Sequence, residues 1–293
     1  MRSIIRVGDA RQGAGPVVRE WAGSASNVHA EWTVLRLMML KKLLLAACVA
    51  GFACGVSAAE SVASVGPAVT PAAEKMVQQA IHSLSAKVRV DSIQPAPMPG
   101  FYQVIASGQL VYISADGKYL LNGDLVDLGR HESASDAAWA RFRKDELAKV
   151  PASARIVYAP ANPKYTVTVF TDVTCGFCRA LHEEVAAFNK AGIAVEYLAW
   201  PREGVTTTAG RPTPTYTEMV SVWCAADPKA ALTAAKQGHA PKQASCGNPV
   251  KDEFDLGVKL GVSGTPTIFG PDGRTLGGYV TPEQLLKALQ QGG

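Results

Sequence analysis

Residues 167–181 read Val-Thr-Val-Phe-Thr-Asp-Val-Thr-Cys-Gly-Phe-Cys-Arg-Ala-Leu. An apolar run of strand character (Val167, Val169, Phe170) stops at Thr171-Asp172, and a helical pattern begins at the following Cys-x-x-Cys pair, Cys175 and Cys178. Strand, short turn, and two thiols on the first turn of a helix is an arrangement suited to redox chemistry. Three-residue spacing puts both sulfurs on one side of that turn, close enough to bond. The unpaired N–H groups and the dipole at a helix start favour an anion, so the Cys175 thiol is expected below the free value of about 8.5, and a thiolate is the attacking species in disulfide exchange. Cys175 is expected to be the more exposed of the two and Cys178 partly covered, placed to resolve a mixed disulfide. Gly176 and Phe177 between them supply a permissive backbone position and an apolar contact for a peptide. A purely structural disulfide and half of a zinc site are the alternatives. The remaining cysteines form no second close pair of the kind a four-thiolate zinc site shows, and no metal is expected.

Outward from this stretch the pattern is α/β. Ile156-Val157-Tyr158, 165–170 and 193–198 read as strands, with one helix over 175–190 that Gly192 closes. Strand, helix and strand at this spacing form a βαβ unit. Residues 201–262 read as an insertion, helical over 218–226, 228–236 and 252–260. Thr265-Pro266 then opens a further strand, and a last helix runs from Pro282 to Gln290. A proline at the start of a β-rich stretch is unusual unless its peptide bond is cis, although an ordinary turn is the commoner outcome. Cys224 ends a helical pattern and Cys246 sits in a turn. The simplest reading of these two is a structural disulfide tying the insertion. His182, four residues past Cys178 on the same helix, is placed to tune the site but reads more simply as a solvated residue, and Asp172 as a turn or helix-start residue rather than a proton shuttle.

Upstream, residues 60–130 read as a small α+β unit. Met76, Val77, Ala80, Ile81 and Leu84 form a helical stripe. Val88–Val90 is read as a strand, and 94–100, with three prolines, as unable to continue any regular element. Residues 102–106, 110–113 and 119–121 read as antiparallel strands, the last two joined at Asp116-Gly117. A unit of about 70 residues has a thin core. It also carries no thiol or carboxylate cluster, so pairing with a second copy is expected, which makes it a dimerisation domain. Residues 131–151 read as a mostly polar helix, capped by Ser133 and running to about Val150, that links it to 152–293.

The chain has 293 residues, 47% apolar and 18% charged. Met39-Leu40-Lys41-Lys42 opens an uncharged run that ends in Ser57-Ala58-Ala59, the form of a cleaved secretory signal peptide over 39–59. A membrane anchor and a lipoprotein box at Cys48 are the alternatives. Residues 1–38 show no motif and read as an upstream start-site artefact. Seven of the 29 Lys/Arg and three of the 25 Asp/Glu lie in residues 1–59, which leaves 22 of each in 60–293. A neutral remainder removes the electrostatic case for nucleic-acid binding. Export also places the four remaining cysteines in a compartment where disulfides persist.

Several stretches carry a family resemblance. Residues 170–178 with Leu181-His182-Glu183, Asp91–Pro97, Val111–Lys118, Tyr197–Arg202, Trp223-Cys224-Ala225 and Gly261–Pro266 together resemble the DsbC/DsbG family of periplasmic thiol:disulfide interchange proteins, on the DsbC side. The resemblance implies a C-terminal thioredoxin fold with a helical insertion beside the small N-terminal α+β domain. It also implies a periplasmic V-shaped homodimer with an uncharged cleft for misfolded or mis-oxidised exported proteins. Cys175 takes the place of the nucleophile and Cys178 of the resolving thiol. Thr265 precedes a cis-proline at Pro266, and Cys224 pairs with Cys246. The activity implied is disulfide isomerisation and reduction with no cofactor beyond the redox-active pair, kept reduced by a membrane thiol reductant of the DsbD type. A net thiol oxidase and a dimeric holdase chaperone are the alternatives. Phe177 departs from the pattern, where an aromatic with a hydroxyl is common. Val205–Thr215 departs from it as a longer stretch.

Overall fold

The computed structural model describes residues 66–292. The expected upstream segment, the signal peptide with Cys48 and Cys54, and the start of the N-terminal domain lie outside the described residues.

The first helix, α1 (Pro71–Leu84), starts where Thr70 accepts a hydrogen bond from the Ala73 N–H at 3.2 Å, with proline at the first helical positions. Its stripe of Ala73, Val77 and Ile81 packs on an antiparallel sheet. The strands are β1 (Val90–Pro95), β2 (Phe101–Ala106), β3 (Gln109–Ser114) and β4 (Leu120–Leu121), in spatial order β1-β2-β3-β4. Alternation along β2 sends Tyr102, Val104 and Ala106 toward α1 and Ile105 to the opposite face. The β2–β3 turn uses Ser107 and Gly108, both at positive φ (46° and 76°), and Gly117 (φ 72°) turns β3 into β4. The expected strand over 88–90 is displaced: β1 begins at Val90 and continues through Gln94 and Pro95, residues read as outside any element. An edge strand has a free side, so a residue without an N–H is tolerated there.

A two-residue hairpin, β5 (Val126–Asp127) with β6 (Glu132–Ser133), leads into α2 (Ala134–Leu147). Ser133 caps α2 by accepting from the Asp136 N–H at 3.0 Å, and the helix stops three residues short of the expected Val150. Its N-terminal half buries Ala138 against Ile105, Leu110 and Tyr112, and its C-terminal half places Phe142 and Leu147 on a second core around Phe170, Trp200 and Leu260. The Arg143 guanidinium donates to the Leu260 carbonyl at 3.0 Å and to the Thr275 hydroxyl at 2.9 Å. This polar-looking helix therefore bridges the two cores through few apolar contacts, Arg143, and an ion pair from Glu146 to Lys259 of the C-terminal part at 2.7 Å.

The C-terminal part begins with β7 (Ile156–Tyr158), β8 (Tyr165–Thr171), α3 (Gly176–Glu183), α4 (Val185–Lys190) and β9 (Ile193–Ala199). It continues with α5 (Pro214–Trp223), α6 (Pro228–Lys236), α7 (Val250–Lys259), β10 (Thr267–Phe269), β11 (Thr275–Gly277) and α8 (Pro282–Gln290). Its sheet has the order β11-β10-β8-β9-β7, with β8 and β9 parallel and the other pairs antiparallel. The single helix expected over 175–190 is two, because the Glu184 N–H tightens onto Leu181 O at 3.2 Å and redirects the chain. Both faces of β8 and β9 are covered, Val167 and Val169 by α3, α4 and α8 residues and Phe170 and Leu198 by Trp200 and Phe254. These strands accordingly read as near-continuous apolar runs. Truncating the fully buried Phe188 or Phe170 to alanine would cost about 3–5 kcal/mol. Helices α5, α6 and α7 form the insertion between β9 and β10, as in the thioredoxin arrangement that the resemblance implies. The long stretch before α5 folds on itself, with Thr207 N–H to Arg211 O at 2.7 Å and Gly210 at φ 73°.

Candidate active site

The turn after β8 is built by Asp172. Its fully buried carboxylate accepts from the Thr174 N–H and hydroxyl, both at 2.7 Å, and from the Arg202 N–H at 2.9 Å. The Arg202 guanidinium adds a contact at 3.3 Å. Burial works against the Asp172 charge, but these donors outweigh it and hold the carboxyl below its ordinary range. Asp172 is thus a helix-start residue. It ends the strand, satisfies the turn and releases the chain at Cys175, the N-cap of α3, with φ −76° and ψ 122°.

Cys178 lies in the first turn of α3, and across from the pair runs the loop at Thr265-Pro266, whose peptide bond is cis. The Cys175 thiol donates to the Thr265 carbonyl at 3.2 Å. Thus Cys175, Cys178, Gly176, Phe177 and the Thr265-Pro266 loop, far apart in sequence, meet at one end of β8. Cys175 is the more exposed of the two, as expected, but only narrowly, at 3% against 0% for Cys178, because the Thr265 loop covers the first sulfur. Phe177, 68% exposed, is the part of the motif that reaches outward.

The two thiols are chemically unequal. Burial disfavours the Cys175 thiolate, yet hydrogen bonding by the Thr265 side chain and by the Cys178 N–H and side chain, with the field of Arg202, lowers its pKa below the ordinary thiol value. Burial dominates at Cys178 and pushes it up. A pair in which one sulfur gives up its proton more readily than its neighbour suits nucleophilic attack by the first and delayed attack by the second.

Two buried groups belong beside this site, one missed in the sequence and one read there as solvated. Lys236, the last residue of α6, is 4% exposed, and its ammonium donates to the Thr171 hydroxyl at 2.6 Å and the Asp172 carbonyl at 2.8 Å. A lysine in the last turn of a helix is ordinarily a solvated partner of the dipole, so its sequence position carries no signal. His182 is buried at 5%, not solvated as read, with its ring nitrogens 3.1 Å from the Tyr197 hydroxyl and 3.0 Å from the Thr233 hydroxyl. Burial, with Lys236 nearby, drops its pKa to about 4. Its position four residues beyond Cys178, on the face that also carries Leu181, was the available clue.

Cys224 and Cys246 lie apart from the thiol pair and are joined to each other, with Cα atoms 5.7 Å apart. Their bond ties the C-cap of α5 to the segment before α7, and α6 lies within the loop it closes. Among the described residues no group of three or more His, Cys, Asp or Glu side chains is placed to hold a metal ion.

Comparison with known proteins adds independent findings. Residues 152–293 match the family described as a thioredoxin-like domain, and residues 67–135 match the disulfide bond isomerase protein N-terminal domain. The chain is 37% identical over 199 residues to the thiol:disulfide interchange protein DsbC of Haemophilus influenzae, covering 68% of this chain and 83% of that protein. It is 36% identical over 216 residues to DsbC of Escherichia coli K12, covering 72% of this chain and 87% of that protein. A crystal structure of a disulfide interchange protein from Neisseria gonorrhoeae aligns with TM-score 0.42 at 28% identity, over 48% of this chain and 97% of that one.

Proposed function

The chain belongs to the DsbC family of thiol:disulfide interchange proteins, and on that premise we propose that Cys175 and Cys178 rearrange and reduce wrong disulfides in exported proteins of the periplasm. The observation that carries the assignment of roles is the inequality of the two thiols. The Cys175 sulfur, with its lowered pKa, attacks a substrate disulfide. One substrate sulfur leaves as a thiolate, and the other becomes bonded to Cys175. A different thiolate of the same substrate then attacks the substrate sulfur of the mixed bond and frees the enzyme with the disulfide moved, whereas return of the released thiolate restores the original bond. Where no such thiolate arrives, Cys178 attacks Cys175. The substrate then departs reduced and the pair is left oxidised. Returning that pair to the dithiol state takes two electrons, and a membrane thiol reductant of the DsbD type is the proposed source.

The Thr265-Pro266 loop and Phe177 are the proposed peptide contacts, since the loop backbone lies beside the attacking sulfur and Phe177 is the exposed apolar tip. We assign 60–130 to dimerisation, 131–151 to the link and 152–293 to catalysis, with 39–59 as the export signal. The dimer reading is supported by exposed apolar side chains on and beyond the sheet edge: Tyr119, Leu120, Leu121, Val126 and Leu128. An unpaired edge strand with such a surface is ordinarily covered.

Refolding of a protein with scrambled disulfides tests the whole reading. Cys175→Ala is expected to abolish recovery of the native pairing, and Cys178→Ala to retain rearrangement while losing net reduction. Full recovery with Cys175→Ala would instead mark a holdase. Accumulation of the oxidised pair in the exporting cell would mark an oxidase. Analytical ultracentrifugation tests the dimer, which a monomeric mass at micromolar concentration would exclude.

A further inference from the structure

The buried ammonium of Lys236 has two fixed partners, the Thr171 hydroxyl and the Asp172 carbonyl, and both are neutral. A charge removed from water is ordinarily matched by an opposite charge, and among the described residues Lys236 forms no salt bridge. The Asp172 carboxylate is engaged by Thr174 and Arg202 instead. The groups that face Lys236 are Asp172 in the turn, Cys175 and Cys178 at the start of α3, and Arg179 and His182 farther along that helix. Of these, the Cys178 sulfur is the strongest electrostatic partner, and the Thr171 side chain also favours its charged form. Lys236 is held there by more than its own contacts. Leu232 and Ala235 of α6 are buried in the core, and Thr233 bonds both His182 and the Tyr158 hydroxyl, which pins α6 beneath α3.

We propose that Lys236 is a positioning residue for the resolving step, taking up the Cys178 proton through the Thr171 hydroxyl. The step rests on the roles assigned above to Cys175 and Cys178. When Cys175 is bonded to substrate, the Cys178 thiol gives its proton to the Thr171 oxygen, and the Thr171 hydroxyl proton passes to a neutral Lys236 amine. The Cys178 sulfur forms its bond to Cys175, the bond from Cys175 to the substrate sulfur breaks, and that sulfur leaves as a thiolate with the electron pair. Cys175 and Cys178 are oxidised and the substrate disulfide is reduced. Burial brings Lys236 down to about 8, so a fraction of it is neutral at the pH where the step runs.

The test uses the full chain, reduced, mixed with glutathione disulfide, quenched in acid on the millisecond scale and read by mass. Appearance of the glutathione adduct at Cys175 reports the first step, and its disappearance with formation of the internal disulfide reports the second. In the wild type the second step is expected to accelerate with pH and level off near 8. Lys236→Met is expected to slow it at pH 7 by about 10-fold or more and to remove that inflection, with a smaller effect on the first step. Lys236→Arg keeps the charge without an available base and is expected to remain slow. Thr171→Val removes the hydroxyl and is expected to reproduce the Lys236→Met profile, which keeps the test decisive if the lysine variants fail to fold. A wild-type rate and inflection in Lys236→Met or Thr171→Val overturns the inference, as does a wild-type rate in Lys236→Arg, which would assign Lys236 to charge alone. Absence of any Cys175 adduct in the wild type would instead overturn the roles assigned to the thiol pair.

Discussion

Replacing Cys224 and Cys246 together by serine is expected to remove stability while leaving the thiol chemistry intact. The bond between them spans 22 residues of sequence. Opening a loop of that length returns chain entropy to the unfolded state worth about 3.4 kcal/mol at 25 °C. The native state has other means of holding the same segment. Met219 and Val222 of α5 and Leu232 and Ala235 of α6 are buried in the core, and Thr233 and Lys236 bond to His182 and Thr171. The loss therefore enters through the unfolded chain, with little change at the site. Urea unfolding should register about 3.4 kcal/mol, and the thermal midpoint should fall by about 7–14 °C for a chain of this size. In parallel, titration of thiolate absorbance near 240 nm in the same variant should find Cys175 at its parent value. A loss below about 1 kcal/mol would show that the opened loop stays ordered when unfolded. A Cys175 pKa displaced by about one unit or more would show that the disulfide positions α6 and, through it, the site.

Three further substitutions address buried ionisable groups. Asp172→Asn retains acceptance from Thr174 but turns an amide donor toward the Arg202 N–H and guanidinium, which should cost about 2–4 kcal/mol at pH 7. Because the native carboxyl is held below its unfolded value of about 3.9, its contribution is complete above that pH and is lost as pH falls through the native value, so urea unfolding of the variant should lack the part of the acid limb below about pH 4. His182 is kept neutral with a native pKa of about 4 against about 6.5 unfolded, so its contribution is full above 6.5 and declines toward pH 4 by up to about 3 kcal/mol. His182→Gln should flatten stability across that window, and an unchanged slope would contradict this. Glu253, buried and accepting from the Ala199 N–H, has its carboxyl raised to about 8 by desolvation. Its native form therefore holds a proton that the unfolded chain releases above about 4.3, and stability falls as pH rises toward 8. Glu253→Gln should remove that decline, and thermal midpoints at pH 5 and pH 8 would measure it.

The parts that sequence predicted well are those whose causes are local. Ser133 and Pro282 mark helix starts through a cap and a fixed φ, Asp116-Gly117 marks a hairpin through a positive φ at glycine, and the thiols at Cys175 and Cys178 are set by helical spacing alone. Misplaced elements have non-local causes. Pro95 belongs to a strand because β1 is an edge with a single neighbour, a fact about the finished sheet. The break at Glu184 leaves the helical apolar pattern on either side intact, with Leu181 and Phe188 both buried, so periodicity reads through it.

Taken alone, the sequence determined that a strand delivers two closely spaced thiols to a helix start, that an α+β unit precedes the α/β part, and that 60–293 carries no net charge. These follow from composition and from interactions between residues a few positions apart. Only the tertiary structure decided that the Thr265 carbonyl lies 3.2 Å from the Cys175 sulfur, that this sulfur is almost fully covered, and that Lys236 is buried beneath the thiol helix and His182 within its inner face. Those residues stand 51 to 90 positions from their partners across the thiol helix and its strand. The energies of burial and desolvation that set the two thiols apart arise only when packing has excluded water from around them, which no local pattern of residues records.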